Sequence, residues 1–582
     1  MSDTPPTILL DSFSSGSFGS SWRFSGYLET IFANSPDDVC KVIAMAEAAA
    51  AKGEYAVGFV SYEAASAINT FLPSLPPVNG LPLAWFAVFR ERHEVSAGFG
   101  LPEPCREMPR LSPACSRPDH AIAISRIHDA IEKGETYQIN HTFQMRGDFS
   151  GDPLALYSAI LRSQRPPFGA YLDTGRHVVI SASPELFFSV KNGRITARPM
   201  KGTARRGRFP ADDAALANHL LRSEKERAEN LMIVDLLRND LGQVAKTGSV
   251  QTDKLFEVES YPTVHQMTST VTAELEDSVS MLDLFRAIFP CGSVTGAPKR
   301  SSMELITRLE GRPRGLYCGA IGMIAPKGEA LCSVPIRTML FDRDERILSM
   351  GVGSGITYSS STDSEYEECL TKASFATAPS PSAPLLESIL LEDGRYPLFE
   401  RHLKRLEWSA TRVGYRYDRD AVVEALELAA TGSGRGKVRL LLAVDGSLSV
   451  DCAMLTDEPE QLRIAISSQP VDPENLMLYL KTAERTLYEA ARAEIPDADE
   501  VLFVNSKGEL TEGTYNNIVL KLDGRLLTPP VESGLLPGVM RSVALDEGIV
   551  QEQQIFPSDL DRAEDIWLIN SVRGWRRGKV AT

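Results

Sequence analysis

The chain has no apolar run approaching the ~18 residues that cross a bilayer. Its start, MSDTPPTILLDSF, lacks the basic head and long apolar core of an export signal. Both absences point to a cytoplasmic protein with no membrane partner. Cysteine is sparse and scattered: Cys40, Cys105, Cys115, Cys291, Cys318, Cys332, Cys369 and Cys452, none at C-x-x-C spacing. That excludes a disulfide framework and the common zinc sites. Positive charge is in deficit, since 61 Lys and Arg against 77 Asp and Glu leave a net charge of -16. An acidic surface argues against nucleic acid as a partner. There is no Walker A loop, because Gly292, Gly296 and Lys299 have the wrong spacing, and GVGSGI at 351–356 is not G-x-G-x-x-G. No G-x-C-x-G glutaminase elbow occurs either. Glutaminase chemistry is therefore not expected of this chain.

What is present is ordinary globular text, 43% hydrophobic and 24% charged, so a large core needs no staples. The clearest seam is ATAPSPSA, Ala376–Ala383, whose prolines and small residues interrupt a charged helical pattern. It suggests a first domain over 1–375, a linker over 376–384 and a second domain over 385–582. Leu101–Pro118 reads as an excursion inside the first. Helices are expected at Asp119–Lys133, Ser223–Leu241, Asp363–Ala373 and Arg401–Val413. Strands are expected at Val178–Ala182, Leu331–Leu340 and Ile347–Gly355, with Asp523-Gly524 turning a hairpin between apolar runs. Both halves read as mixed α+β or α/β.

In SEKERAENLMIVDLLRND, Ser223 and Glu226 have capping-box spacing, so Glu226 has a structural use. Glu229 has none, and it shares a helical face with Glu226, where like charges repel. STDSEYEECLTKA repeats the pattern, with Thr362 and Glu365 as a second box and Glu368 three residues on. Two helices could each offer one carboxylate to Mg²⁺, which keeps several waters and takes few protein ligands. Solvated helices carry such pairs too. Lys201 lies in ARPMKGTARRGR, and the usual fate of such a run is a basic surface loop. PCGSVTGAPKRSS is a Gly-rich turn before a helix, and the amides of GVGSGI could hold a carboxylate. Arg337, in PIRTM, is expected in a strand of apolar neighbours, where it needs an anion. A substrate carboxylate and an internal ion pair meet that need equally.

Assembled in order, SPELF (Ser183–Phe187), MKGT, AENLMIVDLLRNDLG, GSVTGAPK, YCGAIG (Tyr317–Gly322), PIRTM and GSGI…SEYEECLTKA resemble the motifs of the chorismate-utilising enzymes. That family includes anthranilate, isochorismate and salicylate synthases and aminodeoxychorismate synthase component I. The resemblance covers most of 1–375. It implies Mg²⁺ held by Glu229 and Glu368, with Glu226 and Glu365 behind them through water. It assigns the carboxylates of chorismate to Arg337, Tyr317, Lys372 and the amides around Gly353 and Gly355, with Ser293 and Thr295 in the loop alongside. Lysine at 201 marks the aminodeoxychorismate synthases, where anthranilate synthases typically carry alanine. The implied chemistry is covalent: neutral Lys201 attacks chorismate C2 as the C4 hydroxyl leaves, ammonia enters at C4, and the lysine departs. Such a lysine needs a depressed pKa from partial burial or nearby cations, and Arg198, Arg205 and Arg206 are close in sequence. Mg²⁺ would bind the ring carboxylate and orient the ring. Many relatives carry a histidine near VESYPTVHQMTS, where this chain has Gln266 with His265 adjacent.

After the seam, LESILLEDGRYPLFERHLKRLEWSATRVGY reads as a hairpin leading into an amphipathic helix. Lys481 precedes a helix and reads, by itself, as a flanking surface lysine. Glu512 lies between strands in TEGTYNNIVL, and GLLPGVMRSVAL joins a turn to a helix start suited to phosphate. Together they resemble the class IV pyridoxal-phosphate family, which includes branched-chain and D-amino-acid aminotransferases and aminodeoxychorismate lyase. The resemblance implies Lys481 as the cofactor lysine and Glu512 as partner of the pyridinium nitrogen. Arg405 would bind the phosphate, with the amides of Val539 and Met540 and with Ser571. Arg573 could meet a substrate carboxylate, and a homodimer through 385–582 is admitted. The expected whole is synthesis of 4-aminobenzoate from chorismate for folate: amination by the first half, then elimination of pyruvate by the second. Three alternatives stand beside it: an amino-acid transaminase as second half, an anthranilate-synthase-like first half, and a non-catalytic regulatory subunit.

Overall fold

The computed structural model describes residues 5–14, 20–105, 107–376, 382–430, 434–456 and 459–581. Two compact units emerge: Met1–Arg205 with Ala217–Ser380, and Arg206–Leu216 with Pro381–Thr582. A single cut near 376–384 would leave Arg206–Leu216 in the first unit. It belongs to the second, where Arg208 bonds the Pro473 carbonyl at 2.9 Å and Glu474 Oε1 at 2.7 Å. Phe209 packs on Tyr479 there, with ring centroids 5.5 Å apart. Among the described residues no helix is long and apolar enough to cross a membrane.

The first unit is built on antiparallel pairing that links 18 strands. The elements that carry its site are β1 (Gln138–Asp148), β2 (Leu186–Lys191), β3 (Met200–Arg205), α1 (Glu224–Gly242), β4 (Val264–Glu274), α2 (Lys299–Glu310), β5 (Ile347–Ile356) and α3 (Thr362–Ala373). β1 and β5 pair along their whole length, with Gly353 opposite Thr142 and Gly355 opposite Asn140. Behind β2, Phe187, Phe188, Phe285 and Phe289 form an aromatic nest with centroids 5.1 to 6.5 Å apart. Each buried phenylalanine contributes about 1.5–3 kcal/mol by area, so the nest fixes both β2 and the loop after Phe289.

Two local expectations are corrected. α1 starts as expected, with Ser223 Oγ accepting from the Glu226 amide. α3 is capped one residue earlier than Thr362: Ser361 has the extended backbone of a cap and its Oγ accepts from the Ser364 amide. Thr362 is already helical. The expected strand Leu331–Leu340 breaks into Glu329–Ser333 and Thr338–Asp342. Pro335 has no N–H to continue a ladder, and Arg337 turns to a φ of +49°.

The second unit holds a three-stranded antiparallel sheet and an eight-stranded mixed sheet. Its site elements are β6 (Leu385–Glu392), α4 (Phe399–Val413), α5 (Thr486–Glu494), β7 (Leu510–Gly513), β8 (Asn517–Leu522) and α6 (Val539–Asp546). The Lys481 segment runs beside β6, where the Leu386 amide bonds the Lys481 carbonyl at 2.8 Å. Asp523 and Gly524 both take positive φ, +49° and +73°, which matches the right-handed twist of their strands.

Candidate active sites

A cavity of about 230 Å³ in the first unit is lined by Lys201 together with Glu226, Glu229, Arg337, Glu365, Glu368 and Lys372. A β-bulge aims Lys201 into it. Met200 pairs with Thr268 and Thr203 with Gln266, so β3 carries one residue more than its partner, and Gly202 adopts a φ of +94°. A Cβ on residue 355 would fall 2.6 Å from Lys201 Nζ and 2.7 Å from Gln138 Nε2. Only glycine leaves the amine its place. Burial depresses the Lys201 pKa, with help from Lys372 and against Glu229, Glu368 and Glu185. Of the arginines expected to assist, Arg198 pairs with Glu259 and Arg206 with Asp213 in the second unit. The assisting cation is Lys372.

α1 and α3 each bring two carboxylates to this cavity. Burial raises the pKa of Glu226 and Glu229; Glu368 and Glu365 raise that of Glu226 further, and Glu226 and Glu365 that of Glu229. Burial would raise Glu368 too, but Lys372, 2.7 Å away, outweighs it and holds that carboxyl low. Among the described residues no three His, Cys, Asp or Glu side chains form a ready metal cage. The arrangement still fits Mg²⁺, which accepts one carboxylate per helix and water for the rest, and which would relieve the mutual repulsion.

Arg337 reaches the cavity wall with no ion pair or hydrogen bond from its side chain among the described residues. Burial lowers its pKa to about 10, opposed only by Tyr261. The internal ion pair considered for it is thus absent. The Tyr317 ring lies on Gly351, where a Cβ would come within 2.2 Å of it. Lys372 Nζ bonds the Gly353 carbonyl at 3.0 Å. Ser293 lines the cavity, whereas Thr295 does not: it is fully buried and its hydroxyl bonds the Cys291 carbonyl at 3.0 Å. Strand alternation separates Gln266 from His265. Gln266 faces the cavity and donates to the Gly202 carbonyl at 2.9 Å. His265 is buried on the other face against Ser260. Of these two neighbours the cavity receives only the amide of Gln266, which cannot move a proton.

One cavity residue drew no notice as an acid in the sequence. Glu185 is 2% exposed, accepts from Ser293 Oγ at 2.6 Å, and faces Lys201. Burial pushes its pKa up to about 7, despite Ser293 and Lys201. SPELF carried it as a motif letter only, and nothing in the text announced a carboxyl able to keep its proton near neutrality.

The second unit holds a larger cavity, about 770 Å³, lined by Lys481, Glu512, Arg405, Val539 and Ser571 among others. Burial and then Arg405 lower the Lys481 pKa to about 8. Burial lifts Glu512 to about 8, against hydrogen bonds from Tyr488 at 3.1 Å and the Leu536 amide at 3.2 Å. Arg405 grips Glu387 with two N–H groups, at 2.9 and 2.7 Å, and His402 Nδ1 lies 2.7 Å from the same carboxylate. α6 begins at Gly538 without a side-chain cap, so its first-turn amides are available to an anion. Met540 does not line the cavity; its side chain packs against Val519 and Ile569. An amine of lowered pKa, a buried carboxyl and an uncapped helix start on one wall fit pyridoxal phosphate.

The fold and the two cavities agree with what family comparison finds. Residues 100–378 match the model of the chorismate binding enzymes, and residues 385–580 match amino-transferase class IV, a pyridoxal-phosphate-dependent family. The chain therefore carries a chorismate-binding-enzyme domain followed by a class IV aminotransferase domain. Among its relatives is a protein of Streptomyces griseus named aminodeoxychorismate synthase, 42% identical over 330 residues, or 56% of this chain and 44% of that one. Aminodeoxychorismate synthase component 1 of Salmonella typhimurium is 40% identical over 257 residues, or 44% of this chain and 56% of that one. The chain spans about half the length of these curated relatives. A solved structure, anthranilate synthase component I from Streptococcus pneumoniae, aligns with a TM-score of 0.55 at 25% identity, covering 65% of this chain and 93% of that one.

Proposed function

We propose that the first unit aminates chorismate to 4-amino-4-deoxychorismate and that the second eliminates pyruvate from it to give 4-aminobenzoate. The observation that carries the reading is the Lys201 amine, depressed in pKa and opposite Gly355 in a cavity that also holds Arg337 and four carboxylates. Lys201 attacks C2 in its neutral form while the C4–O bond breaks. Glu185 supplies the proton that lets the hydroxyl leave as water. Ammonia then bonds C4, and the C2–N bond to Lys201 breaks. Arg337 and Lys372 hold the carboxylates of the substrate. Glu229 and Glu368, with Glu226 and Glu365 behind them, would hold Mg²⁺, whose positive charge would be offered to a substrate carboxylate.

In the second unit, pyridoxal phosphate supplies an electron sink when bound. Glu512 would pair with its ring nitrogen, Arg405 and the α6 amides would hold its phosphate, and the Lys481 amine would move the proton that accompanies loss of pyruvate. A separate glutaminase supplies the ammonia, a reading supported by the component 1 relative. The product serves folate synthesis, and the protein works in the cytoplasm. Incubation with chorismate, ammonium, Mg²⁺ and pyridoxal phosphate tests the reading by product mass. 4-Aminobenzoate and pyruvate are expected. Anthranilate would overturn the first assignment, and amino transfer to a 2-oxo acid without pyruvate release would overturn the second.

A further inference from the structure

In the second cavity, Arg485 has no carboxylate within ion-pair reach among the described residues, and Glu512 feels its charge only at longer range. Its guanidinium lies 4.5 Å from the centre of the Tyr488 ring and 4.8 Å from that of Tyr515. Its hydrogen bond goes to the Thr514 carbonyl. Among the described residues it forms no ion pair. Of the other arginines on this wall, Arg405 pairs with Glu387 and Arg576 bonds Asn516 Oδ1 at 3.1 Å, while Arg492 bonds the Asp499 carbonyl at 2.8 Å and Arg573, offered by the motif pattern for a substrate carboxylate, bonds the Thr456 carbonyl at 2.5 Å. The nearby carboxylates are engaged as well. Glu500 accepts from Thr514, Asn516 and the Tyr515 amide, and Glu512 accepts from Tyr488 and Asn517.

Arg485 stands four residues beyond Lys481, close enough that its charge helps to lower the Lys481 pKa. A guanidinium stacked on rings keeps its N–H edge in one plane, the geometry that receives a carboxylate through two parallel hydrogen bonds. Leaving such a charge partly desolvated without an anion is unfavourable, so an anionic ligand gains by filling the place.

We propose that Arg485, flanked by Tyr488 and Tyr515, binds a carboxylate of the substrate in the second cavity, separately from the cofactor phosphate at Arg405. The proposal rests on the lyase reading above and names the substrate feature that the site selects: a carboxylated ring amine rather than a neutral one.

The test uses the full chain loaded with pyridoxal phosphate. The probe is 4-aminobenzoate, aniline is its carboxylate-free counterpart, and the readout is the visible absorbance of the lysine-bound cofactor. Arg485→Met should weaken 4-aminobenzoate by roughly tenfold or more, the size of a lost charge-assisted pair, and leave aniline within about twofold. Arg485→Lys should restore part of the loss. Unchanged 4-aminobenzoate affinity in Arg485→Met, or equal losses for both probes, overturns the proposal. If Arg485→Met does not fold, Tyr515→Ala at an exposed position serves instead, and it too should weaken 4-aminobenzoate selectively. A wild-type chain that shows no cofactor band and releases no pyruvate sinks the lyase reading itself. A normal band and pyruvate release, with Arg485→Met binding 4-aminobenzoate as before, sinks only the assignment of Arg485.

Discussion

A single methyl group at position 355 should silence amination. The Cβ of Gly355→Ala would stand 2.6 Å from Lys201 Nζ, so the amine must leave its place. A displacement near 1 Å costs on the order of 10²-fold in rate. The expected variant melts like the wild type yet makes no 4-amino-4-deoxychorismate from chorismate and ammonium. Near-normal turnover would show that the amine does not act from this position. Glu185 gives a second expectation at this scale. The proposed amination requires Lys201 neutral and Glu185 protonated. Deprotonation of Lys201, whose pKa burial lowers, raises the rate, and deprotonation of Glu185, whose carboxyl is pushed up to about 7, lowers it. Glu185→Gln should lower kcat by ~10²–10⁴-fold and erase the alkaline fall. An alkaline limb that persists in the variant assigns the proton to another group. Lys201, Glu229 and Glu368 were legible because motif spacing marks them. Glu185 was not, because its burial is a tertiary fact; for Arg337 the motif gave the residue but not the left-handed turn after Pro335 that places it. The parity of a strand decided between Gln266 and His265, and that required knowing which face of β4 meets the cavity.

Helix α4 and strand β6 are joined in the second unit by one carboxylate. Burial alone would raise the Glu387 pKa, but Arg405 and His402 outweigh it and bring it to about 2. Glu387→Ala leaves Arg405 without its partner, and removing one member of a buried pair costs about 3–5 kcal/mol. The variant should unfold at lower denaturant and bind pyridoxal phosphate more weakly, because Arg405 loses the brace that sets its direction. The sign of the pH effect follows from a depressed carboxyl. Its stabilisation is complete above the ordinary value near 4.5 and fades as pH falls from there through about 2. Denaturant midpoints on either side of that window should separate wild type from Glu387→Ala in mild acid and converge at its lower end; a constant separation removes Glu387 as the cause. At this scale the text predicted helices well, since α1, α3 and α4 each follow their apolar stripe. It failed at the edges. Ser361 and Thr362 are equally good capping residues by type, and only backbone geometry chooses between them. Arg206–Leu216 looked continuous with the segment before it, yet Phe209 finds its partner in Tyr479.

The molecule as a whole keeps two lysine amines below their ordinary pKa, each by burial with a neighbouring cation: Lys372 beside Lys201, Arg405 beside Lys481. Because each lysine has its own cation and its own cavity, the two steps should be separable by single substitutions. Lys481→Ala should turn chorismate and ammonium into accumulating 4-amino-4-deoxychorismate, with pyruvate release down by at least ~10³-fold. Lys201→Ala should make nothing from chorismate and convert supplied 4-amino-4-deoxychorismate at the wild-type rate. Mixing the two variants should restore 4-aminobenzoate after a lag, since one releases what the other consumes. If Lys201→Ala also fails on the supplied intermediate, the first-unit lysine acts beyond amination, and the division of labour between two independent amines is wrong.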